Sequence, residues 1–338
     1  MSTTTAVIFS TEVIKRQLAG VILSRLMTRG LLNLEAAQLV NLSETAAKNI
    51  IATGTVSPKF PLSSADSPAM ICIFSGDNAV GKAFELAKNI NYTLSGLLVA
   101  APEDASALAR LMTVIANVAN KDNLLTAAPK EGEERTLLII KPENFRQPSS
   151  RPGAIIDMLM SLDLQWAGCK VHGMSINEAL EFYAPVRHAL RKKLVPKIGP
   201  QAVALTEEEF EFKFSESDAQ IIAELAGNAF ADDQFEQIVE FMAGKRPGEV
   251  AESDRDKSAG AKCMILVFDG IDAVARIRAL LGPTNPAAAT GGTIRYDFGK
   301  NIMINAAHAS DSQESYLRES CIVKVNENTL SCIAAAGK

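Results

Sequence analysis

The sequence is poor in several residue types that carry common chemistries. It has three histidines, one tryptophan and four tyrosines among 338 residues, and its five cysteines form no CxxC pair. An odd number of dispersed cysteines supports neither a zinc site nor a disulfide framework, so we expect reduced thiols buried in cores. Because histidine is scarce, each histidine can be considered individually as a functional residue.

Long runs of one residue type are also missing. No apolar stretch approaches the ~18 residues that a membrane span needs, and the first residues lack a basic segment followed by a long apolar run. The net charge is −5 without a long basic run, which argues against a nucleic-acid surface. We therefore expect a cytoplasmic protein with neither a membrane nor a nucleic acid as partner. Its length and its hydrophobic fraction of 47% allow two domains with buried cores.

The predicted strands and helices occur twice in the same order. Residues 69–80 parallel residues 263–274, since each segment reads as an apolar strand, a glycine-containing turn and a helix start. The polar segment 130–134 separates the two halves. The repeated order predicts an α+β protein with two tandem ferredoxin-like βαββαβ domains, each an antiparallel sheet with helices on one face.

Some element boundaries bear directly on function. The second strand of each half is predicted over residues 31–40 and 166–174, and a late strand over 301–307. A helix is predicted to begin near Ser310, because Ser310 and Gln313 are spaced as a capping box.

His308 lies between the predicted late strand and this helix. The first N–H groups of a helix and its dipole favour a nearby phosphate, and imidazole is a competent nucleophile near neutral pH because its ordinary pKa is ~6.5. Glu319, toward the far end of the same helix, could hold one ring nitrogen and present the other. Fixed positive charge for a polyphosphate would come from three side chains, Lys141, Arg278 and Arg295.

A lone histidine before a helix is more often structural than catalytic, so the surrounding pattern matters. A strand ends in Lys-Pro at 141–142, and Arg278 precedes Thr284 by six residues in a Gly-Pro-Thr-Asn-Pro turn. Gly-Thr-Ile-Arg-Tyr-Asp-Phe follows at 292–298, and Asn-Ala-Ala-His-Ala-Ser-Asp-Ser at 305–312. In order and spacing, these motifs resemble the nucleoside diphosphate kinase family over roughly residues 134–320.

The resemblance implies ping-pong transfer of the terminal phosphate from a nucleoside triphosphate to a nucleoside diphosphate through a phosphohistidine at His308. It implies Mg²⁺ bound with the nucleotide, near Asp311, and a homo-oligomer of pseudo-dimeric chains. Around the histidine, the matching positions are Glu319, which orients the ring, Tyr183 and Ser310. The matching nucleotide-binding positions are Lys141, Arg278, Thr284, Arg295, Asn305 and Phe235, the last beside Gln234 at the base-stacking position.

Several positions depart from the family pattern. Ala309, Tyr296 and Asn144 replace glycines, and an arginine of the helical hairpin matches either Arg187 or Arg191. Two other readings therefore stay open: a non-catalytic nucleotide-binding or scaffold protein of the same fold, and a histidine-directed protein phosphotransferase.

The first half resembles the same family without its chemistry. We align Phe9 and Ser10 with the Lys-Pro pair, and Phe84, Ile90 and Pro102 with Arg278, Thr284 and His308. The predicted domains are therefore an inactive copy (1–125), a linker (126–134), a catalytic domain (135–325) with inserts at 194–233 and 244–260, and a tail (326–338).

Overall fold

The computed structural model describes residues 2–64, 67–119 and 122–336. The elements of the first half are β1 (Ser2–Phe9), α1 (Thr11–Lys15), α2 (Ala19–Gly30), β2 (Asn33–Val40), α3 (Glu44–Ala52), β3 (Ala69–Asp77), α4 (Ala79–Thr93), β4 (Val99–Ala100) and α5 (Ala105–Val118). The elements of the second half are β5 (Glu134–Ile140), α6 (Arg151–Met160), β6 (Gln165–His172), α7 (Ile176–Phe182), α8 (Ala184–Glu209), α9 (Glu216–Ala243), β7 (Cys263–Gly270), α10 (Ala273–Leu281), α11 (Ile294–Phe298), β8 (Ala307–Ala309), α12 (Gln313–Ile322) and α13 (Leu330–Ala336).

Two antiparallel sheets confirm the predicted fold class. The strand orders are β2-β3-β1-β4 and β6-β7-β5-β8, so corresponding strands occupy corresponding places. This is the order of a ferredoxin-like βαββαβ domain, in which the first and third strands lie at the centre. The chain divides into two compact units, residues 1–172 with 263–338, and residues 173–262. Both sheets belong to the first unit.

Local irregularities recur at equivalent positions of the two halves. The β2–β3 register shifts between Leu34 and Ala36, and the β6–β7 register shifts between Trp166 and Gly168. Helices α4 and α10 are both preceded by a residue in the left-handed region, Asn78 at φ 51° and Asp272 at φ 53°. A bulge and a left-handed cap are both conformations that a chain rarely adopts without need. Their recurrence supports duplication more strongly than the shared order of elements alone.

Helices cover both faces of the first sheet, although we expected them on one. Alternate residues of β1 point to opposite faces, so Val7 and Phe9 pack in one cluster with α2 and α4, while Ala6 and Ile8 pack in another. The second cluster contains residues of α3, α5 and α13. The predicted tail is therefore in part a helix that buries Leu330 and Ala334 against the first half.

The two halves meet through their second strands, β2 and β6, and through helices α2 and α6. Strand β2 lies beside β6, and the backbone of Leu39 hydrogen-bonds the thiol of Cys169. Helix α2 crosses α6 where a Cβ on Gly20 would lie 2.2 Å from the carbonyl oxygen of Gly153, and one on Gly153 would lie 2.2 Å from that of Gly20. Only residues without a Cβ permit this backbone approach.

Polar contacts flank the helix crossing. The Asp157 carboxylate of α6 accepts a hydrogen bond from the Val21 N–H in the first turn of α2, at 3.1 Å. Burial at this junction raises the Asp157 pKa to about 6. The Ser24 hydroxyl of α2 donates to the carbonyl oxygen of Ser150, at the start of α6, at 3.1 Å. Each helix thus contacts the N-terminus of the other.

Candidate active site

His308 lies on β8, an edge strand of three residues that pairs with β5 so that His308 faces Ile139. Its Nε2 is 2.9 Å from Oε2 of Glu319, and the same oxygen accepts a hydrogen bond from the Ser310 hydroxyl at 2.8 Å. The side chain of Glu319 is 5% exposed and that of His308 is 24% exposed. The carboxylate is therefore held inside while the imidazole reaches the surface. The contact engages Nε2, so Glu319 fixes the orientation of the imidazole ring.

The helix that carries Glu319 begins later than predicted. The N-cap of α12 is Ser312, whose hydroxyl oxygen accepts the Ser315 N–H at 3.0 Å. The predicted capping box at Ser310 is wrong, because the Ser310 hydroxyl points to Glu319 instead. The predicted strand over 301–307 is also wrong in its first part. Asn301 accepts the N–H groups of Met303 and Ile304 and folds that segment into a loop.

Lys141 and Asn305 form a buried pair beside this loop. The Lys141 ammonium donates to Oδ1 of Asn305 at 2.7 Å and to the carbonyl oxygen of Met303 at 3.1 Å. Asn305 in turn donates to the carbonyl oxygen of Thr284 at 3.2 Å. Burial lowers the Lys141 pKa to about 8, because the low-dielectric surroundings disfavour the ammonium. This effect of burial outweighs the nearby charge of Glu143, which acts to raise the Lys141 pKa.

The two expected arginines have different surroundings. The Arg295 guanidinium, on α11, donates to the carbonyl oxygen of Gly282 at 2.9 Å and to that of Ala307 at 3.1 Å. It therefore ties the backbone next to His308 to the end of α10. Arg278, in the last turn of α10, is exposed, and its charge helps to lower the Asp311 pKa. The main cause of that lowered pKa is a hydrogen bond from Ser315, and the charge of His308 also contributes.

Sequence reasoning missed the residues that hold the backbone before β8. Ala306 has φ 71°, an uncommon conformation for alanine. Its N–H donates to Glu143 at 2.9 Å, and its carbonyl oxygen accepts from the Asn144 side chain at 2.9 Å. The Arg151 guanidinium then donates to Asn144 at 3.0 Å. From the sequence, Asn144 is only a replaced glycine; in the structure its side-chain amide joins the segment after β5 to the residue before β8.

Two expected site residues, Tyr183 and Phe235, belong to the helical unit, residues 173–262. Tyr183 joins α7 to α8, and its buried ring is 5.0 Å from that of Phe182. Phe235, in α9, is 2% exposed, with the Arg187 guanidinium 5.5 Å from its ring centroid. Arg187 and Arg191, the candidates for the hairpin arginine, both form ion pairs with Asp232, and these hydrogen bonds lower its pKa well below the usual range.

A magnesium ion fits this site only as part of a nucleotide complex. Asp311 supplies one carboxylate near His308 and Arg278. Within the described residues, no three His, Cys, Asp or Glu side chains converge as metal ligands. Mg²⁺ commonly binds through one or two carboxylates and the oxygens of a phosphate substrate, and that is the arrangement these residues permit.

The first half has different residues at the equivalent positions, and the register corrects our alignment. Ile139 faces His308 across β5 and β8, and the equivalent residue Ile8 faces Ala100 across β1 and β4. Alanine, not Pro102, therefore stands at the histidine position. Likewise the N–H of Lys141 bonds to Ala306 and that of Ser10 to Leu98, so Ser10 replaces the lysine. Ala100 has no nucleophilic ring in place of the His308 imidazole, and Ser10 has no charge in place of the Lys141 ammonium.

Part of the sequence is similar to known nucleoside diphosphate kinases. The family model for nucleoside diphosphate kinase matches residues 198–327. A nucleoside diphosphate kinase of Methanoregula boonei is 50% identical over 60 residues, which are 18% of this chain and 40% of the relative. That of Desulfovibrio desulfuricans is 40% identical over 79 residues, 23% of this chain and 57% of the relative. The matched segments thus span about half the length of these relatives.

Two solved structures of nucleoside diphosphate kinases also match part of this chain. The structure from Aquifex aeolicus covers 56% of this chain and 94% of its own, with 25% identity and a TM-score of 0.36. That from Pyrobaculum aerophilum covers the same shares with 22% identity and a TM-score of 0.36.

The topology and the contact of His308 with buried Glu319 define a ferredoxin-like α+β domain with a polar, cation-bearing site around one histidine. The family model and the curated relatives match this C-terminal region, which is therefore similar to the nucleoside diphosphate kinase family. Lys141 and Tyr183 precede the segment that the family model matches. Within the part of the chain that the structure describes, no helix is both long and apolar enough to cross a membrane.

Proposed function

We propose that the C-terminal half is a nucleoside diphosphate kinase that transfers phosphate through His308. The observation that carries the proposal is the 2.9 Å contact between Nε2 of His308 and buried Glu319, which directs Nδ1 toward reaction. In the first step Nδ1 attacks the γ-phosphorus of a nucleoside triphosphate, the bond to the β–γ bridging oxygen breaks, and a nucleoside diphosphate leaves. In the second step a terminal oxygen of another diphosphate attacks the phosphohistidine and frees the ring.

Catalysis in this scheme is positioning and charge stabilisation. Glu319 orients the ring and stabilises the positive charge that develops on it, and Ser310 fixes the carboxylate. Lys141 and Asn305 would bind the ribose hydroxyl end and the adjacent phosphate, while Arg278 and Thr284 would meet the outer phosphates. Asp311 would hold Mg²⁺, which neutralises phosphate charge when it arrives with the nucleotide. Arg295 would act on phosphate while it keeps the β8 backbone in place.

The altered glycines are compatible with this proposal. Ala309 lies in strand β8, where the backbone does not require glycine. Tyr296 is 56% exposed, so its ring does not fill the interior of the site. Asn144 uses its side chain to support Ala306. These observations favour the kinase over the non-catalytic scaffold. Nucleotide binding without turnover would instead support the scaffold.

Steady-state kinetics with ATP and a second nucleoside diphosphate test the proposed reaction. We expect the parallel-line pattern of a ping-pong mechanism. His308→Gln should lower the rate by at least about a thousandfold, because it removes the nucleophile. His188→Gln, in the helical unit, is the matched control and should retain activity. A His308→Gln variant with near-normal turnover would exclude the mechanism.

The lowered pKa of Lys141 predicts how nucleotide affinity depends on pH. The free ammonium loses its proton as pH rises through about 8, whereas a bound polyphosphate favours the charged form and raises the pKa. Calorimetry should therefore show ADP binding that weakens above pH 8 and takes up protons near pH 8. Lys141→Arg keeps the charge at every pH and should abolish the proton uptake. Uptake that persists in this variant would show that another group titrates.

A further inference from the structure

The end of the α8–α9 hairpin, residues 205–225, exposes large apolar side chains. We call this segment the hairpin tip. The exposed fractions are 66% for Leu205, 73% for Phe210, 52% for Phe212, 63% for Ile221 and 71% for Leu225. Single exposed apolar residues are ordinary on protein surfaces, but several within one short segment mark an interaction surface.

The two helices of the hairpin pack closely along a seam that contains two glycines. A Cβ on Gly199 would lie 2.3 Å from the carbonyl oxygen of Ala223, and one on Gly227 would lie 2.9 Å from the Cα of Val195. The backbones therefore approach closely at Gly199 and Gly227. The large apolar side chains of the tip remain exposed beyond this seam, and their burial would need another molecule.

The charge of the tip restricts what that molecule can be. Residues 205–225 contain seven carboxylates (Glu207, Glu208, Glu209, Glu211, Glu216, Asp218 and Glu224) and one cation, Lys213, a net charge of −6 (1 − 7). The Lys213 ammonium lies 2.6 Å from the Glu207 carboxylate and forms an ion pair with it. Leu205 and Phe210 line an open recess of about 670 Å³ together with Glu208, Glu209 and Glu211. Apolar and acidic groups thus line the same recess.

We propose that the hairpin tip is a docking surface for a basic amphipathic segment of a partner protein. Such a segment supplies apolar side chains for the phenylalanines and leucines, and cations for the surrounding carboxylates. Two hairpin tips, each with a net charge of −6, would repel each other. An anionic membrane surface would repel the tip in the same way. The surface lies outside the proposed catalytic residues, so the inference does not depend on the kinase activity.

Calorimetric titration of the full chain with a helical peptide built from leucine and lysine tests the proposal. We expect saturable binding that weakens at high salt, since the charges are exposed. Phe210→Ser with Phe212→Ser should weaken binding by at least about tenfold by removing two buried anchors. Glu208→Lys with Glu209→Lys should weaken it similarly. Tyr92→Ser removes an aromatic residue that is 85% exposed in the first half and should leave binding unchanged.

Three outcomes would overturn the proposal. The first is equal binding of the peptide by the wild type and the double phenylalanine variant. The second is equal binding of a peptide of the same composition with a scrambled, non-amphipathic order. The third is sedimentation showing that the wild-type chain self-associates, that the double phenylalanine variant does not, and that the peptide binds neither. This last result would assign the tip to a second copy of the chain.

Discussion

Glu319→Gln is expected to lower the rate of phosphotransfer by about a hundredfold while nucleotide affinity stays within about twofold of the wild type. The carboxylate contacts the imidazole and the Ser310 hydroxyl, both of which belong to the protein. Glutamine keeps the size but loses the charge that stabilises a positive ring. It can also present its N–H₂ group to Nε2, which favours the wrong tautomer. The effect should therefore fall on kcat rather than on substrate binding.

Two further variants make this expectation specific to a positioning role. Glu314→Gln changes an exposed carboxylate in the first turn of the same helix and should behave as the wild type. Arg278→Ala should weaken nucleotide binding as well as the rate, because this exposed cation would face the phosphates directly. A Glu319→Gln variant whose loss appears in affinity alone would mean that the carboxylate contacts substrate, contrary to the geometry.

Gly153→Val is expected to be the most destabilising single change at the junction of the two halves. A Cβ at this position would lie 2.2 Å from a backbone oxygen of Gly20, and backbone cannot move aside as the end of a flexible side chain can. The two helices would have to separate, which exposes part of the apolar cluster that both halves share. We expect a loss of about 3 kcal/mol in the free energy of unfolding, at the upper end for overpacking.

Urea denaturation measures this loss against a matched control. Gly248→Val introduces the same side chain where nothing lies within 4 Å of the new Cβ, so its effect should stay below about 1 kcal/mol. Equal stability of the two variants would show that the close helix crossing does not join the halves.

The fold could be predicted because the same order of strands and helices occurs twice along the chain. The segments at 69–80 and 263–274 are equivalent in the structure, since Met70 faces Phe9 as Met264 faces Ile140. The alignment failed at the fourth strand. Strand β4 has only two residues, and a short apolar strand carries no side-chain pattern that fixes its register. Pro102 was consequently placed where the structure has Ala100.

The candidate site was predicted through its motifs rather than through its backbone. The contact between His308 and Glu319 follows from the resemblance, but the support of Ala306 by Glu143 and Asn144 does not, because those hydrogen bonds span more than 160 residues. The length of α8 was also missed. Pro196 and Pro200 lie inside this helix, where proline usually predicts an end.

The domain limits and the assembly of chains stay predictions. The meeting of β2 with β6 within one chain is the arrangement expected of a pseudo-dimer with one active and one inactive half. Further association of such chains is a separate question, and light scattering of the full chain addresses it.

The most direct test of the account is the mass of the intact chain after brief incubation with ATP. We predict at most one phosphate per chain, bound to His308, labile in acid and stable in alkali. His308→Gln should carry none, while His172→Gln and His188→Gln should be labelled as the wild type is. The first half has Ala100 at the histidine position and should remain unmodified. Phosphate that persists in His308→Gln, or a stoichiometry near two, would contradict the account of one active and one inactive half.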